Sequence, residues 1–88
     1  MKENVNPAKA YMDGMSLAAY GVSFIEDNAS EWQIEAVKEY ASKLKEAEID
    51  HMAISPDEKE DMKHQWKLWL DATTDGFKDE LKRVGRLD

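Results

Sequence analysis

The chain has 88 residues, with 19 acidic side chains against 12 basic ones and a formal net charge of −7. It has no cysteine, which excludes disulfides, thiol catalysis and cysteine-based zinc sites. With 42% hydrophobic and 35% charged residues it is too apolar for a disordered chain and too charged for a membrane-embedded one, and its acidity sets it against nucleic-acid backbones and anionic membranes.

This length predicts one domain over 1–88. Met1, Lys2 and Glu3 are followed by no apolar signal stretch, so a cytosolic setting is expected. The class expected is all-α, with helices over about 7–27, 31–51 and 56–84. Asn6 caps the first and Pro7 takes its opening position, where a missing N–H costs nothing. Tyr11, Met15, Ala18, Val22 and Ile25 then recur at helical spacing. Ser30 and Gln33 form a capping box at the second start, and Ile34, Val37, Ala41 and Leu44 make its stripe. Ser55-Pro56-Asp57-Glu58 opens the third helix, with acidic residues at the positive end of the helix dipole. Trp66, Leu70, Thr73, Phe77, Leu81 and Val84 keep one face to the end, where Gly85 marks the exit. Short connections predict a bundle, or a helical hairpin with a docked N-terminal helix.

The first helix carries one charge, Asp13, between Ala10 and Ile25. Leu17, Tyr20 and Phe24 lie off its main stripe yet are apolar, so the helix needs cover on more than one side. Gly14, Ala18 and Gly21 add a groove of small residues into which another helix could close. Such a helix either sinks between the other two or forms an interface between copies. The second is the expectation, through Gly14, Leu17, Ala18, Gly21 and Phe24, because two helices of so small a domain can hardly cover so wide a face.

No constellation points to catalysis. Asp71-Ala72-Thr73-Thr74-Asp75-Gly76 matches the opening of an EF-hand loop. Lys82, however, stands where the bidentate glutamate belongs, and the apolar stripe runs through the segment in phase. A continuous helix explains that better, although Gly76 then costs about 1 kcal/mol. The two histidines, His51 and His64, lack the companions a zinc site needs. No nucleophile elbow or Gly-rich phosphate loop occurs. Trp66 and Trp69, three apart, read as core, with base stacking as the alternative. Acidic clusters such as Asp57, Glu58, Glu60 and Asp61 are interleaved with Lys59 and Lys63, which suits a solvated surface better than a DNA-like ladder. No metal or cofactor is expected.

Trp66, Thr74, Gly76, Phe77, Leu81 and Arg83 resemble the last helix of the small phage-encoded sponges that sequester cyclic oligonucleotide signals of a bacterial anti-phage system (anti-CBASS proteins). The resemblance covers that helix alone. The spacings from Trp66 to Phe77 and from Phe77 to Leu81 each differ by one from the family pattern, and Asp75 and Lys78 replace the glutamine and methionine expected around Gly-Phe. The resemblance implies a homo-oligomer with ligand pockets between chains, and Thr74, Phe77 and Arg83 as ligand contacts. Tyr11 and Lys38 are of the type the family uses for its tyrosine and lysine contacts.

The expected function is therefore a non-enzymatic binding protein, a phage-type antagonist of host defence that sequesters a cyclic oligonucleotide or blocks a host protein. The alternatives are an acidic inhibitor that occupies a host protein's nucleic-acid site, and a calcium-binding helical module. Direct binding to DNA, RNA or membrane is not expected.

Overall fold

The computed structural model describes residues 4–22 and 28–88. It is all-α, with α1 over Pro7–Val22, α2 over Glu31–Asp50 and α3 over Pro56–Arg83. The expected end of the first helix near residue 27 lies outside the described residues, as do Phe24 and Ile25. No described helix is long and apolar enough to cross a membrane.

The helix starts follow from their caps. The Asn6 side-chain oxygen accepts from the N–H groups of Ala8 at 3.1 Å and Lys9 at 3.3 Å, which satisfies donors that the first turn leaves unpaired. The Gln33 side chain reaches back to accept from the Ser30 N–H at 3.1 Å. Ser55 Oγ accepts from the Glu58 N–H at 3.2 Å, with Pro56 opening the helix. At the far end of α3, Gly85 takes a positive φ of 74°, a conformation that costs a residue without Cβ little. A short parallel bridge joins Ala29 to Leu87 and ties the entry of α2 to the exit of α3. The Ala29 N–H donates to Arg86 O at 2.9 Å, and the Asp88 N–H donates to Ala29 O at 2.8 Å.

Helix α3 is the hub. Both α1 and α2 pack on it, and among the described residues they do not touch each other. The course is up-down-up: Val5 meets Gln65 and Gly14 lies against Thr73, whereas on α2 Glu31 pairs with Lys82 and Asp50 with Lys63. The result is a helical hairpin with the N-terminal helix docked on its far member, 44 × 23 × 17 Å overall.

The α1–α3 contact is made by backbones. A Cβ added to Gly14 would lie 2.0 Å from Thr73 O, and one added to Gly76 would lie 2.0 Å from Tyr11 O. The two glycines face each other's helix, and only a hydrogen fits at either position, a geometry suited to weak Cα–H···O contacts. Ala10 and Ala18, one turn either side of Gly14, are fully buried in the same seam. The seam thus runs through Ala10, Gly14 and Ala18 rather than through the larger stripe of Tyr11, Met15 and Ala18 read from the sequence. Large side chains would hold the axes apart, so Tyr11 and Met15 flank the seam, half-buried.

The sequence stripe of α2 is also turned. Ile34, Lys38, Ala41, Lys45 and Ile49 face α3, with Ile49 fully buried, while Val37 and Leu44 are left 68% and 54% exposed. Ion pairs line the other flank. Glu31–Lys82 (3.6 Å), Lys38–Asp71 (2.9 Å), Asp50–Lys63 (2.7 Å) and Glu35–Lys78 all bridge α2 to α3.

Candidate functional site

Because α2 meets α3 along a ladder of charges, its apolar side stands partly open. Ile34, Val37 and Ala41 on α2 face Leu70, Thr73, Thr74 and Phe77 on α3 across a groove of about 360 Å³. Ala29 and Gln33 close one end, and the walls are almost wholly apolar. That size falls within the range of small-ligand pockets. Just outside it, Tyr40 is 66% exposed and continues the line from Val37 to Leu44. Residues 37, 40 and 44 fall three and four apart, so they form one ridge along α2.

The polar groups of the groove are few. Lys38 sits on its rim, with its ammonium on Asp71 at 2.9 Å. That hydrogen bond raises the lysine pKa against the opposing effect of burial. Thr74 Oγ1 donates to Leu70 O at 2.6 Å, the usual outlet for a helical threonine. Thr73 is buried, and its Oγ1 has no hydrogen-bond partner in the structure.

Of the five residues that the family resemblance implied as ligand contacts, Lys38, Thr74 and Phe77 line this one groove. The other two stand elsewhere. The Tyr11 hydroxyl donates to Asp79, whose carboxylate raises the phenol pKa by accepting that hydrogen bond and by its charge. Arg83 forks onto Glu80, with Nε 3.0 Å from Oε2. Glu80 is 3% exposed, and the guanidinium holds its carboxyl below the usual carboxylate range. A carboxylate so shielded is costly without a paired cation, so this Arg83 contact is structural.

Of the expected interface residues, Gly14 and Ala18 are closed against α3 of the same chain and are not open to a second copy. Gly21 has open space where a Cβ would stand. Leu17 is 55% exposed, and Phe24 lies outside the described residues. Asp71–Gly76 is continuous helix within α3, and among the described residues no group of three metal-ligating side chains comes together.

Trp66 and Trp69 stack with ring centroids 5.1 Å apart and an interplanar angle of 24°, and Lys45 Nζ lies 5.8 Å from the Trp66 ring centre. Both rings are half-buried and, with Val5 and Met62, border a separate shallow cleft. The ridge of Val37, Tyr40 and Leu44 is not evident from the sequence pattern. Val37 and Leu44 are in phase with Ile34 and Ala41 and so read from the sequence as part of the buried stripe. Comparison with protein-family models, with curated proteins and with solved structures finds no match.

Proposed function

We propose that this chain is a non-enzymatic binding protein that works by taking the apolar face of a protein helix into the groove between α2 and α3. The carrying observation is the groove itself, apolar and flanked by an exposed ridge of Val37, Tyr40 and Leu44. A helix laid in such a groove reads as anchors at i, i+3, i+4 and i+7. The role this suits is antagonism by occupancy, as in a phage-type inhibitor that blocks a host protein; that step rests on analogy with small phage proteins. The test uses the apolar dye anilinonaphthalene sulfonate. The intact chain is expected to bind it saturably, and Val37→Glu, at an exposed position on the groove wall, is expected to abolish that binding with helix content unchanged. Dye bound equally by Val37→Glu would place the apolar site elsewhere and sink the reading.

One observation favours a second reading, a sponge for cyclic oligonucleotides. Lys38, Thr74 and Phe77 converge in one groove, which sets a cation beside an aromatic face. Against it stands the neutralisation of Lys38 by Asp71. A cyclic di- or trinucleotide at 100 times its dissociation constant should add about 2.7 kcal/mol of stability, a shift of about 10–20 °C for a domain this small. Flat melting curves across a cyclic nucleotide panel rule this reading out.

A further inference from the structure

We infer that the helix held in the groove is α2 of a second copy, so that the protein is a two-fold dimer formed across the ridge of Val37, Tyr40 and Leu44. The inference rests on the reading of the groove as a docking surface for a helix. It is carried by area, by shape and by local charge.

The area is the first observation. A compact monomer of 10.1 kDa exposes about 5,300 Å². This chain exposes 6310 Å². The surplus, about 1,000 Å², compares with the roughly 800 Å² that each partner contributes to a standard protein interface. The radius of gyration agrees: it is 14.7 Å, against about 12 Å expected for a compact domain of this length. The core tells the same story from inside. Among the described residues only Ala10, Ala18, Ile49 and Leu81 are fully buried hydrophobics, while Tyr40 and Trp32 stand more than half exposed on α2 alone.

Shape comes next. A two-fold interface needs a surface that complements itself. Here a ridge and a groove lie side by side on the same helix, because Val37 belongs to both. Two copies related by a two-fold axis across α2 each lay Tyr40 and Leu44 along the other's groove. Each thereby covers the ridge that it presents. The spacing of 33, 37, 40, 44 and 47 alternates four and three, the seam spacing of paired helices. Gln33 at one end already lines the groove.

Local charge permits it. The net charge of −7 opposes association, but the carboxylate nearest the ridge, Glu48, is answered by Lys45 at 3.4 Å. The repulsion comes from farther away and is screened by salt. The dimer should therefore tighten as salt rises, the opposite of one held by ion pairs.

Sedimentation equilibrium of the full chain at low and moderate salt tests this, with dye binding measured on the same samples. The mass should climb from 10.1 kDa to twice that with concentration, more steeply at moderate salt, and dye binding per chain should fall as it does. Leu44→Glu and, separately, Tyr40→Lys should weaken the dimer at least ~30-fold, as loss of a central interface residue does. Both positions are exposed in the monomer, and far-UV circular dichroism of each checks its fold. Tyr20→Glu, at an exposed site on α1, should leave the dimer intact. A dimer lost in Tyr20→Glu but kept in Leu44→Glu would put the interface on α1 and overturn the inference. A monomer at every concentration that still binds dye overturns the dimer and leaves the groove reading standing. A monomer that binds no dye overturns both.

Discussion

Gly76 is where a local cost and a tertiary need meet in one residue. Glycine within a helix costs about 1 kcal/mol relative to alanine, and α3 carries it near the middle of its contact with α1. Propensity alone therefore says that Gly76→Ala stabilises. The packing says otherwise, because the new methyl would lie 2.0 Å from Tyr11 O, a backbone atom that cannot swing aside. Moving α1 away would also open the buried contacts of Ala10 and Ala18. The expected outcome is a net loss of about 1–3 kcal/mol in denaturant unfolding, the usual range for overpacking, with Gly14→Ala losing a similar amount against Thr73 O. A stability gain in either variant would show that the helices do not cross this closely. Gly21, with open space around its missing Cβ, is the internal control: alanine there should be neutral or mildly stabilising.

At the scale of elements, α1 and α2 are held to α3 by different physics. The α1 seam is mainly close backbone packing, with the Tyr11–Asp79 hydrogen bond at its side. The α2 seam leans on lysine–carboxylate pairs, which individually contribute little when exposed. Hydrogen bonds from Lys78 and Lys63 hold the carboxyls of Glu35 and Asp50 below their ordinary values of 4.5 and 3.8. A depressed folded-state pKa gives stability that is fully present above the ordinary value and is lost as pH falls through the lower one. The double variant Lys63→Gln/Lys78→Gln should therefore be less stable than the parent at neutral pH. The gap should narrow as pH drops below the ordinary carboxylate range, and thermal unfolding followed by circular dichroism from neutral pH into that acid range checks it. A gap that stays constant would mean the lysines act through their aliphatic stems rather than their charge. The elements themselves were legible in the chain. Asn6 and Ser55 cap where their side chains predict and Gln33 reaches back to the Ser30 N–H, since each is a contact between residues two or three apart. The faces were less legible: Val37 and Leu44 are apolar and in phase, yet they stand outward while the charge ladder meets α3 on the opposite flank.

Over the whole molecule, the same rotation that satisfies the ladder leaves a groove on one side of α2 and a ridge beside it. Three of the five residues singled out by resemblance fall together there, because Thr74 and Phe77 lie three apart on α3 and Lys38 stands opposite on α2. Tyr11 and Arg83 had equal claim by residue type, and only their partners, Asp79 and Glu80, show that they serve the fold instead.

Short-range physics decided by the sequence alone covers the all-α class, the three starts, the exit at Gly85 and the passage of α3 through Asp71–Gly76. Each depends on neighbours within about one helical turn. The register of α1 on Ala10, Gly14 and Ala18, the outward turn of α2 and the existence of the groove were decided by the tertiary structure. The reason is that periodicity reports which residues share a face, whereas the face that is buried depends on how closely two backbones can approach and on which charges meet across the seam.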